Sequence, residues 1–406
     1  MKKILHVLAL LIAGTVLAED GFLARPSGIK FNRLTLRPYV SFSYTFDSNP
    51  DCGKKGAMNS SYWTANPGVG LTYDGENWKL NGNAYYMYHA FSSGEASSLN
   101  NHSYGEQLGF FWSDIVNRGK GWALSINERY MKVNQNDDFA HSDGKGLWRD
   151  RQQFDAGIVL QRRFNETLYS AVNAGFYWID YENDPKAYGP LYGWERWSAG
   201  AEVGIRACKW ADVFLAGGYQ RFTQDSPHGL SLKNASDGWT AHAGATGDLS
   251  EKLTYRVSGG VSTFHYAGAD DSAGFTYEAS IKWKITDTLM TSLLASSYYH
   301  PSEREAGSAV RCDSISWGIA KALVRNKLNA TFDVAYRHDT HVYTYRNGSD
   351  WDINLLTARL SVNYIVNRLI TVFARGEFQD EMNEGVVGNR YDYDRWRATL
   401  GVKFTY

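Results

Sequence analysis

The chain has 406 residues, a formal net charge of -1, 15% aromatic side chains and a mean hydropathy of -0.42. The aromatic load excludes a disordered chain, and the negative hydropathy excludes a bundle of transmembrane helices. Near-neutral charge removes the basic bias that a nucleic-acid partner asks for.

In chain order, the first feature is the only long apolar run. Lys2 and Lys3 precede the apolar stretch Ile4 to Ala18, and Val16-Leu17-Ala18 ends it with small residues at a cleavage site. Residues 1–18 therefore read as a secretory signal peptide. No cysteine stands at the cleavage point, so a lipid anchor is not expected. Residues 19–33 follow as a short periplasmic segment, too short for a plug domain.

From residue 34 onward, apolar and polar residues alternate almost throughout. Period two is the mark of strands with two different faces. Eighteen runs are expected, near 34–46, 61–73, 78–90, 103–115, 122–133, 150–163, 168–180, 194–206, 212–222, 236–248, 253–266, 273–285, 288–300, 311–322, 328–340, 351–365, 369–380 and 391–406. Their connections alternate in length. One set is tight, such as Asp74-Gly75-Glu76-Asn77, Asn165-Glu166-Thr167 and Asn367-Arg368. The other set is longer and polar, such as 47–60, 134–149 and 381–390.

Each run is long enough for a tilted strand to cross a hydrocarbon layer. In lipid no backbone donor is left open, so such a sheet must close. Even strand number, short periplasmic turns and longer outer loops are the habit of bacterial outer-membrane barrels. Trp63, Trp78, Trp122, Trp197, Trp239, Trp351 and Trp396 fall near strand ends, where interface girdles belong. The expected fold is all-β: one closed antiparallel transmembrane barrel of about 18 strands over 34–406. A soluble sandwich or propeller is the competing architecture, but no blade signature accompanies the hairpin rhythm.

The ending Ala398-Thr-Leu-Gly-Val-Lys-Phe-Thr-Tyr406 resembles the C-terminal strand signal of Gram-negative outer-membrane proteins, with Tyr in place of the commoner Phe. That resemblance implies that Phe404 and Tyr406 are read by the barrel assembly machinery. The first strand, Arg37-Pro-Tyr-Val-Ser-Phe-Ser-Tyr-Thr-Phe-Asp-Ser-Asn49, resembles the opening of the Putative beta-barrel porin 2 family. The family resemblance implies a channel, and for some members a link to exopolysaccharide export.

Alternation also assigns faces. The inward basic set is Arg37, Lys79, Arg129, Arg151, Arg196, Arg206, Arg256, Lys282, Lys284, Arg337, Arg359, Arg375, Arg395, Arg397 and Lys403. The inward acidic set is Asp155, Glu202, Glu278, Asp333 and Glu377, leaving a strand wall of about +10. The compensating acids are assigned to loops, among them Asp47, Asp51, Asp137, Asp138, Asp143, Asp184, Asp225, Asp270, Asp271 and Glu381. A single-sign wall in a confined channel concentrates counter-ions, and rings of Arg or Lys select anions. The expected function is a porin-type channel for anionic solutes or an acidic exopolysaccharide, set among outer-membrane lipid and lipopolysaccharide. The competing reading is a barrel enzyme acting on lipid or surface polysaccharide.

Inward aromatics such as Tyr39, Tyr85, Phe111, Tyr177 and Phe373 pose a choice between a sugar-sliding track and wall packing, and packing is preferred. Glu128 falls on the lipid side, either through a bulge or by sitting at headgroup level. No catalytic motif, metal site, cofactor site or nucleic-acid feature stands out. The pair His338 and His341 is three residues apart on a strand, which sends the rings to opposite faces. The three cysteines, Cys52, Cys208 and Cys312, form no framework. Oligomeric state is not legible.

Overall fold

A computed structural model describes residues 28–49, 59–92, 101–115, 119–134, 150–181, 193–224, 234–266, 272–302, 309–325, 327–342, 351–384 and 392–406. The expected signal peptide, Cys52 and the acids Asp51, Asp137, Asp138, Asp143, Asp184, Asp225, Asp270 and Asp271 lie outside the described residues.

The chain is a closed barrel of eighteen long antiparallel strands with one short extra strand. In order these are β1 (Ile29–Phe31), β2 (Leu34–Asp47), β3 (Ser60–Asp74), β4 (Trp78–Phe91), β5 (Asn101–Ser113), β6 (Gly121–Asn134), β7 (Asp150–Arg163), β8 (Leu168–Tyr181), β9 (Trp194–Cys208) and β10 (Ala211–Gln224). They continue as β11 (Asn234–Ser250), β12 (Leu253–Tyr266), β13 (Ser272–Thr286), β14 (Leu289–Pro301), β15 (Ala309–Val324), β16 (Leu328–Val342), β17 (Trp351–Ile365), β18 (Ile370–Glu384) and β19 (Tyr393–Thr405). From β2 to β19 every strand pairs with its sequence neighbours, and β19 returns to pair with β2. Closure leaves no open edge in the long wall, which a lipid environment requires.

The barrel has a short-turn end and a long-loop end. Two of the turns are shaped by asparagine side chains. The Asn165 carboxamide oxygen accepts from the Thr167 and Leu168 amides, both at 2.8 Å. Asn367 does the same for Leu369 and Ile370, at 2.8 and 3.0 Å. Such side-chain turns reverse the chain without extra residues.

The seam between β19 and β2 is staggered. Their pairing stops at Thr405 opposite Tyr39, while β2 runs on toward the short-turn end. β1 fills that gap, with Ile29 opposite Leu36 and Phe31 opposite Leu34. Part of the segment expected to precede the barrel is thus a piece of its wall. The Tyr406 amide donates to the Pro38 carbonyl at 3.0 Å, tying the last residue to the same edge.

Along the strands, one face is exposed and apolar. Leu215, Leu400, Trp239, Phe275 and Trp63 are each at least 60% exposed. An apolar surface of that extent is foreign to water-soluble monomers, and it is the outer, lipid-facing wall. Rings cluster near both of its margins. Toward the long loops Tyr44 meets Trp63 with centroids 4.9 Å apart, Phe176 meets Trp197 at 4.5 Å, and Tyr219 meets Trp239 at 4.7 Å. Toward the short turns Tyr73 stacks on Trp78 at 4.2 Å, and Arg162 lies 4.5 Å from the Trp122 ring. These are the two girdles of a membrane barrel.

Three expectations change. Asp47 and Glu381 are not loop residues: they end β2 and extend β18, and both are buried on the inner face. Glu128 does not sit beside a bulge, because register runs unbroken from β5 through β6 to β7. Its outward direction is a real feature of the wall.

Candidate functional site

The inner wall is the candidate site, and it divides along the barrel axis. In the long-loop half, alternation and register turn Arg129, Arg151, Arg196, Arg337, Arg395 and Arg397 inward. Asp155 and Glu278 share that half, with Glu377 at the middle. The structure adds Asp47, Asp339 and Glu381, so acids match cations one for one.

These charges are packed into the wall. Arg395 and Asp47 are 1% and 0% exposed. The Arg395 Nε donates to both Asp47 oxygens at 3.0 and 3.2 Å, across the seam where the barrel closes. Thr45 and Thr399 hydroxyls meet beside them at 2.9 Å. Arg397 Nη2 lies 2.8 Å from Glu377 Oε2, and Arg337 Nε lies 3.0 Å from Asp339 Oδ2. Arg196 is buried beside Asp155, with its guanidinium 5.3 Å from the Tyr177 ring. Buried pairs of this kind brace a wall and offer little charge to solvent.

The same half holds an apolar cluster that the face assignment missed. Tyr177, Ile179, Tyr181, Trp194, Phe222, Phe264, Tyr299 and Ala309 bury one another. Trp194 and Tyr177 rings are 4.6 Å apart, and Phe222 and Phe264 are 5.2 Å apart. Trp194, Phe222 and Phe264 fall in phase with the polar face of their strands. That phase is the one signal the sequence held.

The short-turn half differs. Arg37, Lys79, Arg206, Arg256, Lys282, Lys284, Arg359, Arg375 and Lys403 face inward there, together with Glu202 and Asp333. To these the structure adds Arg163 and the acids Asp74, Asp212 and Asp248. Cations outnumber acids two to one.

Four of these cations share one local construction. An inward ring lies flat over an inward glycine of the next strand, and a cation lies over the ring. A Cβ on Gly68 would collide with the Tyr39 ring, and Lys403 Nζ sits 3.7 Å from that ring's centroid. Gly401 accommodates Phe373, with the Arg375 guanidinium 5.0 Å away. Gly204 accommodates Tyr169 beneath Arg163 at 5.3 Å, and Gly244 accommodates Phe214 beneath Arg256 at 4.1 Å. A ring face attracts a cation without cancelling its charge.

The four stacks split into two kinds. Arg256 also reaches Glu202 at 2.6 Å, and Arg163 reaches Asp212 at 3.3 Å. Tyr169 donates to the same Glu202 at 2.9 Å. Arg163, Asp212 and Arg256 border a recess of about 350 Å³ that includes Asp248 and Ser280. Arg375 and Lys403 have no ion pair among the described residues, and Arg375 is exposed. Lys79 is likewise exposed and unpaired, while Arg37 donates to Thr72 Oγ1 at 2.9 Å. Arg359 is exposed 3.5 Å from Glu377, and Lys284 reaches the turn residue Asp287 at 3.4 Å.

The inward aromatics are committed to the wall. Tyr39 and Phe373 are held between glycine and cation, Tyr177 is buried, and Tyr85 lies against Gly105. Phe111 alone of that group is open, at 48% exposure.

Chemistry is sparse elsewhere. No group of His, Cys, Asp or Glu able to hold a metal occurs among the described residues. His338 Nδ1 meets Asn354 Oδ1 at 2.9 Å on the outer face, whereas His341 is buried on the inner face. His341 Nδ1 lies 3.2 Å from Ser302 Oγ, but at 3% and 0% exposure the pair has no access to a substrate. Cys208 and Cys312 are free thiols. At the short-turn end, Phe404 and Tyr406 are 42% and 68% exposed.

The family description "Putative beta-barrel porin 2" matches residues 214–406, from within β10 to the C-terminus. Among solved structures, the copper transporter OprC superposes with a TM-score of 0.45 at 11% identity, covering 93% of this chain and 81% of that one. Pseudomonas aeruginosa OpdK with vanillate gives 0.44 at 12% identity, covering 91% and 99%. A mutant of the P. aeruginosa ferric enterobactin receptor gives 0.41 at 9%, covering 91% and 80%. No curated protein sequence is similar enough to this chain to count as a relative.

Proposed function

Starting from a chain that is an outer-membrane, porin-like β-barrel channel with the Putative beta-barrel porin 2 match over its C-terminal half, we propose that it passes anions. The short-turn end is the periplasmic end. One observation carries the reading: in the periplasmic half, Lys79, Arg375 and Lys403 turn inward and form no ion pair among the described residues. Confinement by a low-dielectric wall strengthens the field of such charges and raises the local concentration of counter-ions.

The solutes this favours are small organic anions or an acidic exopolysaccharide. Recognition is by charge more than by stacking, since most inward rings already have both faces occupied. The protein contributes no bond-making step in this reading. It lines the path, holds cations at fixed points and relies on a concentration gradient.

The test is conductance of the purified barrel in planar bilayers under a salt gradient. The expected reversal potential reports anion preference, and uronate oligomers reduce the current more than neutral oligomers of equal length. A reversal potential of cation-selective sign would overturn the proposal.

A further inference from the structure

Among the described residues, the apolar belt of the outer wall has one break, on β4 to β7. Glu106 on β5 and Glu128 on β6 point outward in the middle of their strands. Each lies two residues closer to the midplane than a girdle tyrosine, Tyr104 and Tyr130 respectively. Along a tilted strand that step is about 5 Å. Glu106 is opposite Tyr130 and Glu128 is opposite Leu108, which makes the two carboxylates diagonal neighbours. Neither has an ion pair among the described residues. Other outward charges of the described strands lie at or beyond the girdles, or reach back to a turn as Lys321 does to Thr288 Oγ1 at 3.1 Å.

We propose that this face is not a lipid face but is covered by the same face of a second copy of the chain. Hydrocarbon offers a carboxylate neither a donor nor a high dielectric. The face itself offers donors. Tyr86, Tyr88 and Tyr104 are 45%, 42% and 37% exposed beside the carboxylates, with His102 and Lys132 toward the long loops.

A two-fold axis along the membrane normal keeps every group at its own depth. The reach of the glutamate and tyrosine side chains then spans the step of about 5 Å, so the acceptors of one copy meet the hydroxyls of the other in an isologous contact. Shape agrees, because Glu106 is opposite Ala84 and Glu128 is opposite Ala156, so small neighbours let the two walls approach. Four strands of a membrane belt present roughly 500 Å² per copy. Two such faces reach about 1,000 Å², the lower bound for a specific interface.

The experiment uses the full chain with its three native cysteines replaced by alanine, reconstituted in lipid vesicles. Ala84→Cys probes the proposed face, and Ala243→Cys probes the outer face of β11 as a control. Oxidation is expected to give a covalent dimer from Ala84→Cys and none from Ala243→Cys. Light scattering in nanodiscs is expected to return the mass of two chains. Adding E106L/E128L is expected to lower the cross-linked yield at least tenfold, while E106Q/E128Q retains it. A single-chain mass overturns the proposal, as do equal cross-linking at both positions and cross-linking to a different protein. So does an E106L/E128L barrel that melts at a higher temperature with its cross-link intact, because that result makes the face a lipid face.

Discussion

The two halves of the inner wall use the same residue types for different ends. Toward the long loops acids match cations in number, and the closing pair is sealed: Arg395 and Asp47 are 1% and 0% exposed. Toward the short turns, cations such as Arg375 and Lys403 rest on rings that are themselves seated on glycines. A carboxylate partner cancels charge and fixes a strand. A ring partner fixes a side chain and leaves its charge standing. On the proposed reading, the same Arg-rich alternation makes a brace in one half and a field in the other.

The sharpest way to separate the halves is to remove one acid from the braced half. Asp47→Ala strands the Arg395 guanidinium inside the wall at the closing seam. Breaking a buried pair from one side typically costs about 3–5 kcal/mol. Urea unfolding in lipid vesicles should show a loss of that size, and Asp47→Leu with Arg395→Met should recover most of it. If Asp47→Ala instead changes ion selectivity at wild-type stability, the long-loop half is not a brace.

The converse substitution is Arg375→Gln with Lys403→Gln. It should leave unfolding almost unchanged and lower the anion-to-cation permeability ratio several-fold, read from reversal potentials. Arg397→Gln is the matched control, since that side chain is paired with Glu377 at 2.8 Å. It should cost stability and leave the ratio nearly alone. Equal shifts in the ratio for both variants would dissolve the distinction.

Much of this architecture is legible in the sequence, and the reasons it stops are physical. Period two and the alternation of tight and long connections fix the strands, because lipid permits no other way to satisfy a backbone. Alternation does not say where a strand ends once it leaves the membrane. That is why Asp47 and Glu381 read as loop residues although they sit on the wall. The glycine-ring-cation stacks join residues as distant as Tyr39 and Lys403, and only register brings them side by side. Glu128 was visible as an exception, but its meaning needed the neighbouring strands. Once β5 is in register beside β6, Glu106 joins it and one misfit becomes a patch.

The stacks themselves give a subtler test. Gly401→Val fills the space that Phe373 occupies, so the ring must tilt off the wall and carry Arg375 with it. Overpacking of this kind costs roughly 1–3 kcal/mol. The permeability ratio should fall by about half the effect of Arg375→Gln, because the charge is displaced and not removed. Gly376→Val is the control, since a Cβ there meets nothing within 4 Å. A normal ratio in Gly401→Val would show that the ring does not position the cation.

The smallest expected effect follows from the axial asymmetry itself. Strands of β4 and β18 run 14 and 15 residues, which at about 3.3 Å per residue and a tilt near 40° makes the wall roughly 35 Å tall. Screening in 0.1 M salt acts over about 10 Å. If the proposed anion path holds, the periplasmic field does not reach the braced half, and an anion meets one charged vestibule followed by a neutral one. A channel with fixed charge at one end passes more current when counter-ions are driven in from that end. Oriented single channels should rectify modestly, with larger current when anions enter from the short-turn side. Raising salt to 1 M shrinks the screening length to about 3 Å and should abolish the asymmetry. Rectification that survives 1 M salt would assign it to shape, and the cations would lose their place in the account.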